Sequence, residues 1–410
     1  MGKSNFKVYA YRWVVLLAFM TIVAVNQMLW ITFAPITGSA AKFYGVSDLS
    51  IGLLSMIFMI VYVAVSIPAS WAIDTWGIRI AVGIGAVLTG VFGLLRGLTA
   101  KDYTWVLVSQ IGIAVGQPFL LNACTKVAAR WFPIEERATA SGLGTLAMYL
   151  GISAGLALTP LLSIRLGMGG TLMLYGILSV AAALVFFVLV RERPPTPPCR
   201  PDQEERSLVF DGLKRIVHDR NFVYLMLIFF VGLGVFNGIT TWIEDIVRPR
   251  GFSITQAGTA GGLMIAGGLA GALVFPPISD RLRRRTPFIF LAIAGAIFGL
   301  AGVTFATGYT LLLVSSFVTG LFLLSAGPIG FQYGAEATYP APEGTSNGLL
   351  ILMGQISGIV FIFGMDAFKS KSNGSMTASL IALMALMALS LVLCAKLKES
   401  ALIRKQGGVS

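Results

Sequence analysis

Twelve apolar runs follow one another along the chain, most of them long enough to cross a bilayer, with mainly short polar joints between them. They fall near 12–35, 50–73, 79–98, 104–129, 138–161, 170–190, 221–243, 256–280, 287–306, 309–334, 345–366 and 375–396. A bilayer core is about 30 Å thick and a helix rises about 1.5 Å per residue, so roughly twenty apolar residues make one span. Lipid offers no partner to backbone N–H and C=O groups, so each run is expected to be a helix that satisfies its own. Only 12% of the 410 residues are charged, about half of what a water-facing surface usually carries. The expected fold class is an all-α integral membrane protein, with twelve transmembrane helices in two pseudo-repeated six-helix halves.

The net charge of +12 would suggest nucleic acid in a soluble protein. Here the basic residues sit in joints between spans. With an even number of spans both tails share a side, and 21 Lys and Arg fall on that side against 8 on the other. The positive-inside rule then puts both termini in the cytoplasm, and the plasma (inner) membrane is the expected location. The expected partners are a small-molecule substrate and the lipid bilayer, with no nucleic acid, and the chain is expected to be a monomer. The one histidine, His218, reads as a solvated loop residue. Cys124, Cys199 and Cys394 share no metal-ligand spacing. No enzyme activity, cofactor or metal site is expected.

The stretch RERPPTPPCRPDQEERS, starting at Arg191, is too proline-rich for a regular helix and too charged for lipid. It divides the chain into a six-helix half at 1–190, a cytoplasmic linker at 191–220 and a second half at 221–410. WFPIEERATASGL (131–143) and TYPAPEGTSNGL (338–349) stand at corresponding places in the halves and suggest a duplication. Glycines four apart, Gly151 with Gly155, Gly267 with Gly271 and Gly354 with Gly358, allow close helix approach and suit helices that slide between rocking halves. The inner joints carry WAIDTWGIR, with Asp74 and Arg79, and ISDRLRRR, with Asp280 and Arg281. An acid beside an arginine can latch helix ends through charge-assisted hydrogen bonds. With Arg137, Glu336 and Glu343 from the neighbouring joints, these are the expected gating residues.

Polar side chains deep within spans mark the candidate site: Asn26 and Trp30 in the first, Gln117 and Asn122 in the fourth, Tyr149 in the fifth, Asn237 in the seventh and Gln355 in the eleventh. Asn26 and Trp30 lie one turn apart on one face, while Gln27 points about 100° away toward a neighbouring helix. Several such groups at one depth in path-lining spans favour a binding site near the midplane. None is charged, and mid-span acids are the usual sign of a proton relay. A neutral cavity of amides and aromatics therefore fits facilitated diffusion of a small polar, zwitterionic or weakly charged organic solute. The alternatives are an ion- or proton-coupled carrier of an organic anion, with Lys126 or an inner arginine meeting the negative group, and a transporter-shaped receptor or sensor. Glu244 and Asp245, beside Trp242, read as solvating a helix terminus.

With twelve spans, repeated halves and the Asp74-x-x-Gly77-x-Arg79 element, the sequence resembles the major facilitator superfamily. Within it, NQMLWITFAP (26–35), FYGVS (43–47), AIDTWGIR (72–79), GQPFLLNACTKVAARWF (116–132), TYPAPEGTSNGLL (338–350) and GQISG (354–358) resemble the feline leukaemia virus subgroup C receptor-related transporters, which include haem- and choline-associated carriers. That resemblance implies a cavity lined by Trp30, Gln117 and Gln355. The family's choline carriers complete an aromatic cage with a tyrosine in the seventh span; Asn237 stands there in this chain, which weakens cation–π recognition of a quaternary ammonium.

Overall fold

Every apolar run folds as helix, and strands are absent among the described residues. The structure is a computed structural model that describes residues 8–196, 219–338 and 343–399, the side chains at 134, 135, 138 and 343–345 excepted. Most of the linker with Cys199 and His218, and the side chain of Glu343, lie outside the described residues. The helices are α1 (Arg12–Ile31), α2 (Thr37–Tyr44), α3 (Asp48–Trp76), α4 (Ile78–Leu98), α5 (Tyr103–Leu121), α6 (Cys124–Trp131), α7 (Ile134–Leu189), α8 (Arg220–Thr241), α9 (Ile243–Val247), α10 (Ile254–Leu282), α11 (Thr286–Phe305), α12 (Tyr309–Thr338), α13 (Glu343–Ala367) and α14 (Thr377–Ala395).

Among the described residues, eleven helical stretches are long and apolar enough to cross a membrane. The longest, α7, has 56 residues, about 84 Å at helical rise, and no bilayer accommodates that in one crossing. It turns at Gly167, whose φ of 70° and ψ of 175° leave the helical region; a side chain would strain that conformation. The fifth and sixth spans are its two arms, which makes twelve.

Local chemistry sets the other ends. Side chains of Ser47, Asp102 and Asp219 accept from backbone N–H groups in the first turns of α3, α5 and α8, and Ser253 with Gln256 forms a full capping box on α10. Pro35 lacks the donor a continuing helix would need, and the first span breaks after Ile31 into a 3-10 turn at Ala34–Ile36 before α2 resumes. The fourth span breaks likewise three residues after Pro118, between α5 and α6.

By contact the chain divides into two units, Met1–Phe33 with Ser39–Ser207, and Ala34–Gly38 with Leu208–Ser410. In the first, α7 packs on α1 and α4, and α5 on α3 and α4; in the second, α12 packs on α10 and α11, and α8 on α13. Large apolar side chains such as Ile67, Val188 and Phe298 stay exposed, as a lipid-facing surface requires, so van der Waals packing holds the helices together.

Gly151 and Gly271 each seal helices within their own unit. A Cβ on Gly151 would strike the carbonyl of Ala24 in α1, and one on Gly271 the carbonyl of Leu321 in α12. We expect Gly151→Val to cost about 1–3 kcal/mol by overpacking, read as a lower melting temperature in detergent. The same change at Gly142, which faces open space on the same helix, leaves the melt close to wild type.

Candidate functional site

In the first unit a ladder of polar groups joins α1, α4 and α5. Asn26 is fully buried; its Nδ2 donates to Thr89 Oγ1 at 3.1 Å and to the Ile113 carbonyl at 3.4 Å, and its Oδ1 accepts from Gln27 Nε2 at 3.2 Å. Gln27 thus turns onto Asn26, where sequence geometry points it to another helix. Near the end of α1, Arg96 of α4 is also fully buried. Its Nη1 donates to the Leu29 carbonyl at 3.0 Å and to Gln110 Oε1 at 2.8 Å, its Nη2 to Thr32 Oγ1 at 3.4 Å, and its guanidinium lies 5.7 Å from the Phe33 ring centroid. Gln110 Nε2 donates onward to the carbonyls of Leu29 at 3.4 Å and Leu54 at 3.0 Å. This clamp sits where helix 1 loses its regular bonds, and it grips the peptide joining Leu29 to Trp30. The Trp30 indole N–H donates to the Ser55 carbonyl at 3.0 Å, which fixes its ring.

The other candidates divide by whether protein already satisfies them. Asn122 is engaged on both sides: its Oδ1 accepts from the Tyr62 hydroxyl at 2.6 Å, and its Nδ2 donates to Ser66 Oγ and Ser70 Oγ at 3.0 Å each. Gln117, one turn beyond Ile113 on α5, is only 5% exposed, yet its amide has no hydrogen-bond partner among the described residues. The partly buried Tyr149 hydroxyl likewise has none. The Gln117 amide atoms are not sealed off by protein, so they are open to a solute able to bond them.

In the second unit, α8 and α13 approach so closely that a Cβ on Gly234 would meet Ser357 Cβ at 2.9 Å. Beside this crossing Asn237 Nδ2 donates to the Gly354 carbonyl at 3.1 Å. That bond brings Asn237 to the residue before Gln355 and leaves the Asn237 Oδ1 without a partner among the described residues, as is the Gln355 amide. Farther along, Glu244 and Asp245 are buried, correcting their reading as solvated groups: Arg248 pairs with both and Lys369 Nζ lies 3.4 Å from Asp245 Oδ2. Glu244 Oε2 also accepts from the Gly38 N–H at 2.8 Å.

The charged joints form bonds other than the sequence neighbours suggest. Asp74 pairs with Lys126 Nζ at 2.7 Å, while the exposed Arg79 makes no side-chain bond among the described residues. Asp280 pairs with Arg285 in place of Arg281, and Arg285 Nη2 reaches Glu336 Oε1 at 3.0 Å. Burial pulls the Arg285 guanidinium down, but its bonds to Glu336 and Asp280 outweigh this and hold it above its ordinary value. Arg137 donates to the carbonyls of Ala129 and Phe132 across the α6–α7 joint.

Two acids missed from sequence complete these joints. Glu192, just after α7, accepts from the N–H groups of Ile78 at 3.2 Å and Arg79 at 2.7 Å, capping α4, and pairs with Arg130 at 3.2 Å. Glu399, just after α14, accepts from the N–H groups of Arg285 at 3.0 Å and Thr286 at 2.8 Å, capping α11. The duplicated halves thus use the acid after their last helix to cap the start of their third. Glu399→Gln is expected to destabilise by about 1–2 kcal/mol, measured by thermal melting, with Glu192→Gln acting alike.

Arg96 and Gln110 were missed too, since an arginine near a span end counts as an outer-loop charge. The signal available was the two-residue distance of Arg96 from the end of an otherwise apolar run.

A sequence profile described as Major Facilitator Superfamily matches residues 15–362. Solute carrier family 49 member A3 of Xenopus tropicalis is 31% identical over 378 residues, covering 88% of this chain and 78% of that protein. Choline/ethanolamine transporter FLVCR1 of Felis catus is 29% identical over 412 residues, covering 95% and 73%. Among solved structures, an inward-facing, unoccupied bacterial homologue of the human lysosomal transporter Spinster aligns with a TM-score of 0.74 at 16% identity, over 95% of this chain and 96% of that one. At that identity the likeness bears on the fold alone.

Proposed function

Because the chain belongs to the Major Facilitator Superfamily and is a membrane solute transporter, we propose that it moves a small polar or zwitterionic organic solute by alternating access, as facilitated diffusion. The observation that carries this reading is the Gln117 side chain, 5% exposed, whose amide has no hydrogen-bond partner among the described residues. Tyr149 adds a further neutral group in the same unit; within the second unit, Gln355 and the Asn237 Oδ1 have no partner among the described residues. The Trp30 ring, held by Ser55, supplies an apolar face. Asn26 and Asn122 hold helices in place and position their neighbours. Lys126, a conceivable anion ligand, is neutralised by Asp74. The termini lie in the cytoplasm by the distribution of basic residues, in the plasma membrane, and the protein acts as a monomer.

Two features argue against a quaternary ammonium such as choline, part of the printed name of one relative. Asn237 cannot supply a cation–π wall. Arg96 is a buried cation whose bonding partners are neutral, so its charge opposes a fixed cation bound in the same unit. The test is a thermal-shift screen of purified protein with choline, ethanolamine, amino acids and neutral polyols, repeated on Gln355→Leu. A zwitterionic or neutral solute is expected to stabilise the wild type most, and the variant to lose that shift. Strongest stabilisation by choline overturns the reading.

A further inference from the structure

On the lipid-facing side of the first unit, α4 and the second arm of α7 leave a groove of about 750 Å³ between them. Its floor is Gly83, where an added Cβ would meet the Phe187 ring at 3.1 Å, and Val87, Leu88 and Phe187 continue it as hydrocarbon. Polar chemistry is confined to one end, at Trp76, Arg79 and Glu192. From Arg79 to Leu88 the helix climbs nine residues, about 14 Å, close to half the roughly 30 Å hydrocarbon core. The groove is therefore one leaflet deep, with its charge at the headgroup level.

Charge balance selects the occupant. Glu192 is spent on Arg130 and on two backbone N–H groups of α4. The Arg79 guanidinium is exposed and makes no side-chain bond among the described residues, since Asp74 pairs with Lys126. The end of the groove thus presents one uncommitted cation. Beside it Trp76, 46% exposed, packs edge-on against Trp71, 58% exposed, with ring centroids 5.4 Å apart. Exposed indoles of this kind sit at the bilayer interface. We propose that this groove binds an anionic glycerophospholipid, its phosphate on Arg79, its glycerol region against Trp76 and one acyl chain along Gly83, Val87, Leu88 and Phe187.

The site takes lipid whatever solute the protein carries. Native mass spectrometry of the purified full chain in neutral detergent, titrated in parallel with phosphatidylglycerol and phosphatidylcholine of the same acyl chains, tests it. The wild type is expected to retain phosphatidylglycerol over phosphatidylcholine by roughly fivefold, the effect of one basic side chain near an anionic lipid surface. Arg79→Gln should erase that preference and Arg79→Lys keep most of it. Gly83→Leu should lower retention of both lipids by filling the floor, and Lys371→Gln, an exposed cation elsewhere, should change nothing. Equal retention of the two lipids by the wild type, or an undiminished preference in Arg79→Gln, overturns the proposal.

Discussion

Gln117→Leu is expected to lower solute uptake at least about tenfold, the worth of one good hydrogen bond to a bound solute, while the purified protein melts at or slightly above the wild-type temperature. The side chain is 5% exposed and its amide has no partner among the described residues, so an apolar side chain of similar size breaks no protein hydrogen bond. Gln355→Leu should follow the same pattern in the second unit. Asn26→Leu should behave in the opposite way. It leaves Thr89, Gln27 and the Ile113 carbonyl without the partners they have now, a loss of about 1–3 kcal/mol, and melting should fall before any effect on solute affinity can be separated. Paired melting and uptake measurements on these variants sort the groups that hold helices from those that hold solute. Equal destabilisation by Gln117→Leu and Asn26→Leu would remove the basis for that division.

Arg96→Leu should be the most damaging single change outside the solute-binding groups. It strips donors from the Leu29 carbonyl, Gln110 and Thr32 at the point where α1 ends. Orphaned buried acceptors cost about 1–3 kcal/mol apiece, offset in part because a charge no longer has to be buried. A net loss of about 2–4 kcal/mol is expected in a melt, together with reduced uptake, since the peptide that carries Trp30 is no longer held. Arg96→Lys keeps the charge but not the planar fork that meets several acceptors at once, and should recover less than half of the loss. Wild-type stability in Arg96→Leu would show that the clamp is dispensable.

The spans were legible because lipid tolerates so few structures: an apolar run of twenty residues has little choice but a helix. The break before Pro35 has the same kind of cause, a missing backbone donor. What sequence could not show was which polar groups had found each other. Asn26 and Gln117 look alike in a string, two amides in apolar spans, yet one is bonded on every side and the other on none. That difference depends on the rotation of α5 against α1, which places Ile113 opposite Asn26 and carries Gln117 a turn farther. The partners of the joint charges were hidden in the same way. Asp74 stands five residues from Arg79 but pairs with Lys126, 52 residues away, because the α6 helix returns to the end of α3. Arg96 was hidden by position: two residues from a span end, it counts as a surface charge until α1 and α5 close over it.

A neutral solute site predicts movement without a driving ion. Counterflow in proteoliposomes measures this most directly: vesicles loaded with the unlabelled solute identified by thermal shift are diluted into labelled solute, with no ion gradient present. Labelled solute should accumulate transiently in wild-type vesicles, at a rate unchanged by an imposed pH or sodium gradient, and at least about tenfold more slowly in Gln117→Leu. Stabilising binding without any exchange, or exchange that appears only when an ion gradient is imposed, would contradict the account.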